Sequence, residues 1–145
     1  MRILVFADSH GDSSSIEKVM KKFYPDVAIH LGDGIDDFMS LESAFAHTKF
    51  FNVQGTLDSY GDPDRVLVFE GVPFYISHEK QDADTSAKVV LYGHTHSPAL
   101  YVNNGVTYMN PGTISIEYGF RTFGLIDIFE GEYSCEIKFV DSLVL

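Results

Sequence analysis

Apolar positions follow two periods along this chain, and the change between them divides it near residue 60. Arg2 to Ala7 is a nearly continuous apolar run, the pattern of a strand buried on both faces of a parallel sheet. Ile16, Val19, Met20 and Phe23 then recur at helical spacing. Ser14 and Glu17 stand three residues apart as a capping box, and Pro25 marks the end. Val27 to Leu31 predicts a second strand and Lys49 to Val53 a third. Between them Ile35 to Ala46 predicts a helix, because Ile35, Phe38, Met39 and Phe45 share roughly one face.

Helical spacing then gives way to short apolar runs. Val66 to Phe69 and Phe74 to Ser77 read as strands around the turn Glu70-Gly71-Val72-Pro73, and Val89 to Tyr92 as another buried strand. Leu100 to Val102 and Val106 to Met109 flank Asn103-Asn104-Gly105, whose Asn-Gly pair favours a tight hairpin. Thr122 to Phe129 and Tyr133 to Val140 flank Glu130-Gly131-Glu132 in the same way. An α/β first half and a mainly β second half predict two sheets packed together with helices outside. No repeat or linker-like stretch interrupts the pattern, so residues 1–145 read as one domain.

Composition narrows the function. Hydrophobic residues make up 45% of the chain, with 12 Phe and 8 Tyr, enough for a core without disulfide staples. Cys135 is the only cysteine, which excludes an internal disulfide and a cysteine-based zinc site, and it reads as a small buried residue in a reducing compartment. The net charge of −11, with no basic cluster beyond Lys21-Lys22, excludes sequence-specific DNA binding and argues against a nuclease. No nucleic-acid partner is expected. The run Ile3 to Ala7 is too short for a signal peptide, and no run approaches a membrane span, so no membrane partner is expected and a cytoplasmic location is the default. The C-terminal hairpins leave room for a homo-oligomer.

Chemistry gathers at the strand ends. Asp8 and His10 stand just past the first predicted strand, Asp33 and Asp36 past the second, and Gly55-Thr56-Leu57-Asp58 past the third. Open α/β sheets bind ligands outside the carboxyl ends of their strands, so three successive strands deliver polar groups to one edge. His78 and Gly93-His94-Thr95-His96 repeat that placement after two later strands. Mixed imidazole and carboxylate donors suit manganese, iron, zinc or nickel better than calcium or magnesium. His30, inside a strand pattern, reads as a core histidine, and His47 as a surface one. Asp36 reads as a helix cap, a partner orienting His10 or a metal contact.

In order, Asp8-Ser9-His10, Gly32-Asp33-Gly34-Ile35-Asp36, Gly55-Thr56-Leu57-Asp58, His78 and Gly93-His94-Thr95-His96 resemble the motifs of the calcineurin-like metallophosphoesterases, especially their small bacterial and archaeal phosphodiesterases. Asn110-Pro111-Gly112-Thr113 is similar to that family's N-P-G-S segment, and the resemblance runs from Met1 to about Ile128. It implies a four-layer α/β/β/α sandwich of two mixed sheets. It also implies two divalent metal ions, manganese first, with zinc, iron or nickel as alternatives. Asp8, His10 and His96 would hold one ion, His78 and His94 the other, and Asp33 would bridge both. Hydroxide shared between the ions would attack phosphorus in line. On this resemblance His10, Asp33 and Asp58 are the candidate catalytic residues, and Thr56, Asn110 and Gly112 the candidate substrate contacts.

Departures from the pattern refine the expectation. Thr56 replaces the asparagine ligand of the second metal, and a neutral hydroxyl is a poorer donor, so the second site is expected to bind more weakly. Leu57 replaces a histidine that serves the leaving group, and the segment after His78 is short, Gln81 to Ala87 preceding the next strand. Modest hydrolysis of a small phosphate ester with a good leaving group is therefore expected, a diester before a monoester. The competing expectation is a degenerate member of the same fold, like the retromer subunit, that binds a protein partner.

Overall fold

A computed structural model describes residues 1–81 and 86–143. The chain runs β1 (Arg2–Phe6), α1 (Ser13–Phe23), β2 (Val27–His30), α2 (Ile35–Met39) and β3 (Lys49–Asn52), the predicted alternation. It continues as β4 (Asp64–Phe69), β5 (Val72–Ser77), β6 (Val89–Leu91), β7 (Ala99–Asn103), β8 (Val106–Asn110), β9 (Thr122–Phe129) and β10 (Glu132–Phe139). Glu70-Gly71, Asn104-Gly105 and Glu130-Gly131 close three hairpins with positive φ at both turn residues, the geometry that follows the twist of paired strands. The first turn is narrower than the sequence suggests, because Val72 and Pro73 already pair within β5.

Two mixed sheets result, ordered β10-β9-β1-β2-β3 and β4-β5-β6-β8-β7. Parallel pairing of β1, β2 and β3 in one sheet, and of β5, β6 and β8 in the other, points their carboxyl ends to common edges. Ile3, Val5 and Ala7 face inward and meet Phe74, Ile76, Leu91 and Met109 of the second sheet. Leu4 and Phe6 face the other way, onto Ile16, Val19 and Met20 of α1 and Phe38 of α2. Each such fully buried side chain contributes roughly 1.5–3 kcal/mol. Among the described residues the α-helices are α1 and α2, and both cover the first sheet.

Three expectations need correction. Asp12, not Ser14, caps α1: its carboxylate accepts from the Ser15 N–H at 3.0 Å, and the Ser14 hydroxyl donates to it. The second helix ends at Met39 instead of Ala46. The Ser40 hydroxyl donates back to the Asp37 carbonyl at 2.8 Å, and the chain tightens into a 3-10 turn over Glu42–Ala44 that still delivers Leu41 and Phe45 to the core. Cys135 is half-buried on β10, where burial pushes its thiol up to about 11 and keeps it unreactive. Most of the short stretch after His78, residues 82–85, lies outside the described residues. No helix of the described residues is long and apolar enough to cross a membrane.

Candidate metal centre

Backbone hydrogen bonds lace the strand-end loops together before any side chain acts. Asp8 N–H donates to the Gly32 carbonyl at 3.0 Å, His10 N–H to that of Asp33 at 3.1 Å, and Gly93 N–H to that of His78 at 2.8 Å. The His94 N–H crosses between sheets to Asp8 Oδ2 at 3.1 Å. Gly32, at φ +102°, passes so close to its neighbours that an added Cβ would lie 2.6 Å from Gly55 N and 2.7 Å from His78 Nδ1. Only glycine fits there.

Strain gathers at the same place. Nine non-glycine residues have positive φ among those described, and five of them are Asp8, His10, Asp33, His94 and His96. The remaining four are the hairpin residues Glu70, Asn104 and Glu130 and the α1 C-cap Tyr24. Such backbone costs roughly 1–3 kcal/mol per residue and persists where the surroundings enforce it, typically at functional sites.

Asp8, His10 and His96 form one group whose potential ligand atoms lie within 4.8 Å of one another, and Asp8, Asp33 and His78 form another. Asp8 is common to both. Its Oδ1 lies 3.7 Å from His96 Nε2 and 4.0 Å from His10 Nε2. That oxygen is buried without a hydrogen-bond partner. Burial, followed by the nearby Asp33 carboxylate, pushes the Asp8 carboxyl up to about 7.

His78 Nδ1 faces the Leu31 carbonyl at 2.7 Å, and a carbonyl only accepts, so Nδ1 carries the proton. Its Nε2 lies 3.3 Å from Asp33 Oδ2, so the two potential donor atoms are close enough to share one cation. His94 joins through Nδ1, 3.2 Å from His78 Nε2. Desolvation and the neighbouring His10 hold the His96 imidazole below its ordinary pKa, so it stays neutral and ready to ligate. An orphaned buried carboxylate oxygen ringed by imidazoles fits a divalent transition-metal ion.

Residues 1–131 match the model of the calcineurin-like phosphoesterase superfamily domain. The chain belongs to that superfamily. It is 27% identical over 131 residues to a probable metallophosphoesterase of Mycoplasma pneumoniae, covering 79% of this chain and 80% of that protein. Its fold matches an archaeal phosphodiesterase with a TM-score of 0.78 at 20% identity, over 95% of this chain and 100% of the other. It also matches zinc-complexed Vps29 of Entamoeba histolytica, with a TM-score of 0.70 at 16% identity, over 97% and 99% of the two chains.

Around the candidate ligand positions of this phosphoesterase-superfamily chain lies a set of residues that aim them. Asp58 spends its carboxylate on four backbone N–H groups: Asp33 at 2.7 Å, Gly34 at 3.0 Å, Ile35 at 3.1 Å and Gly55 at 2.8 Å. Burial works to raise its pKa, but these donors outweigh it and hold the carboxyl below the usual carboxylate range. Asp58 therefore shapes the loop that carries Asp33, whose own Oδ1 accepts from the Leu57 N–H at 2.8 Å.

Asn110, fully buried, donates to the Gly93 carbonyl at 3.0 Å and to Thr95 Oγ1 at 2.9 Å, and accepts from Gly112 N–H at 2.9 Å. It and Gly112 brace the His94–His96 loop from behind. Thr56 is exposed on the rim, lining with His78 a cavity of about 250 Å³. Asp36 accepts from the Tyr60 hydroxyl at 2.9 Å and accordingly serves Tyr60.

Sequence reading passed over Ser9, Asp37 and Tyr118. His30 accepts the Gly32 N–H on Nδ1 at 3.0 Å, so its Nε2 carries the proton and donates to Ser9 Oγ at 2.9 Å. Ser9 in turn donates to Asp37 Oδ2 at 2.8 Å. Burial pushes the His30 imidazole down to about 4, keeping it neutral for this relay. The relay pins the residue between Asp8 and His10. His30→Ala is expected to lower stability by about 3 kcal/mol, since it leaves buried groups unpaired. Urea unfolding checks this; a loss below 1 kcal/mol would mean that the relay is dispensable.

Proposed function

We propose that this metallophosphoesterase hydrolyses a small-molecule phosphodiester, using two divalent cations of which manganese is the first candidate. The carrying observation is the buried, unpartnered Asp8 Oδ1 between two donor groups. Asp8, His10 and His96 would hold one cation, His78 and His94 the other, and Asp33 would bridge both. Bound at such a centre, divalent cations lower the pKa of water and offset charge on the attacking and leaving oxygens. The protein's part is to aim His10, His78, His94 and His96, to keep His96 neutral, and to exclude Asp8 from bulk solvent.

Preference for a diester follows from charge. The adjoining cavity, about 240 Å³, is lined by His10 together with Asp33, Asp36, Asp37 and Asp58. A second negative charge on a monoester would meet those carboxylates at close range. Leu57, 71% exposed at the mouth, can neither donate a proton nor hydrogen-bond, so a good leaving group is favoured. Exposed Thr56 supports a weaker second site. Calorimetric titration with Mn²⁺ should show two unequal steps, and equal ones would overturn that detail.

The Vps29-like fold and Leu57 favour a second reading, a scaffold that binds a protein partner. Assays with an aryl phosphodiester and an aryl phosphomonoester separate the two. Manganese-dependent turnover, faster for the diester and abolished by a chelator, is expected. Absence of turnover with manganese, zinc, iron and nickel, despite bound metal, would favour the scaffold.

A further inference from the structure

The 3-10 turn over Ile116–Tyr118 belongs to no motif, yet it sets Tyr118 edge-on against two imidazoles of the candidate metal centre. Its ring centroid lies 5.0 Å from that of His10 and 4.5 Å from that of His96, with interplanar angles of 60° and 61°. His10 and His96 are themselves 5.1 Å apart at 64°. Three rings therefore lean on one another beside Asp8. The turn is anchored away from the site, where the Ile116 N–H donates to the Asp12 carboxylate at 3.0 Å and the Glu117 N–H to the Ser115 hydroxyl at 3.2 Å. Asp12 is also the cap of α1, so the tyrosine is held by the helix rather than by the ligands.

Metal-ligating histidines ordinarily donate their second ring N–H to a carboxylate, carbonyl or water, which fixes the ring. His78 has such a partner in Leu31. Among the described residues, His10 and His96 hydrogen-bond through their rings only to each other, Nε2 to Nε2 at 3.3 Å. Ring packing must aim them instead.

We propose that Tyr118 is a positioning residue for the cation site of Asp8, His10 and His96: its ring fixes both imidazoles with Nε2 toward Asp8 before metal arrives. The proposal rests on the metal-dependent reading above. Ordering the rings in advance removes that entropic cost from binding. The contribution comes from the ring and not the hydroxyl, so phenylalanine should serve as well.

Calorimetric titration with Mn²⁺ in two backgrounds tests this. His94→Ala isolates the first site and His96→Ala the second. In the His94→Ala background, Tyr118→Ala should weaken Mn²⁺ binding about tenfold, the low end for residues that orient metal ligands, while Tyr118→Phe leaves it unchanged. In the His96→Ala background, Tyr118→Ala should change nothing. Unaltered affinity in Tyr118→Ala, an equal loss in both backgrounds, or a Tyr118→Phe as weak as Tyr118→Ala would each overturn the proposal. Wild-type protein that ignores Mn²⁺ would instead overturn the metal-dependent reading, and this one with it.

Discussion

Asp8→Asn is expected to stabilise the metal-free protein and, in the same stroke, to abolish its metal-dependent hydrolysis. The Asp8 carboxyl is raised from 3.8 to about 7, first by burial and then by Asp33. A raised acid means that the folded state holds its proton more tightly than the unfolded one. Below about pH 3 both states are protonated and there is no penalty. As pH climbs toward 7 the folded state must carry an unwelcome charge, and the penalty is complete above that. Asparagine never ionises, so near pH 8 the metal-free variant should gain up to about 4 kcal/mol, or roughly 10 °C in Tm. At about pH 3 the gain should vanish.

With Mn²⁺ the order reverses, because wild type gains stability by mass action and the variant loses the ligand shared by both donor groups. Hydrolysis should fall by at least about 10³-fold, equivalent to about 4 kcal/mol of transition-state stabilisation. Scanning calorimetry at both pH values, with and without Mn²⁺, checks the first part. A variant less stable than wild type near pH 8 without metal would contradict it.

Asp58→Ala should be about as damaging as His30→Ala, although Asp58 is not itself a proposed ligand and acts through the backbone of Asp33. It strands four backbone N–H groups from two loops, and a half-buried charged acceptor of this kind is worth about 3 kcal/mol in all. Asp58→Asn should recover only part, because one amide oxygen replaces two carboxylate oxygens. The carboxyl is held below its ordinary pKa, so its contribution is present above about pH 4 and disappears as acid protonates the folded form. Urea unfolding of wild type and Asp58→Ala should therefore differ widely at pH 7 and converge as the pH falls below the ordinary carboxylate range. Equal stability at pH 7 would show that the loop over Asp33 holds its shape unaided.

The fold was readable where local pattern and packing agree. Continuous apolar runs marked β1, β2 and β6 because both faces of those strands are buried, and glycine at each tight turn marked the hairpins. Membership of β9 and β10 in the first sheet, alongside β1, had no local signature, since pairing of a hairpin with a distant strand is decided by tertiary contacts. The early end of α2 was hidden because Phe38 and Phe45 keep their inward face through a 3-10 turn as well as through a helix.

At the site, residues delivered by strand ends were visible because position alone implicates them. Their supports were not. Ser9, His30 and Asp37 each have an ordinary local reading, and only their meeting across two loops turns them into a relay. The role of Asp58 depends on how the chain folds back over Asp33, and Tyr118 is one aromatic among many until the turn after Ser115 sets it against His10 and His96.

Everything chemical here requires that side chains from separate strands converge on a cation. Crystals grown with Mn²⁺ and measured at the manganese absorption edge would reveal this directly. An anomalous peak within bonding distance of Asp8, His10 and His96 is predicted, with a weaker one at Asp33, His78 and His94. A map without a peak at Asp8, or one in which His10 and His96 turn away from it, would contradict the account.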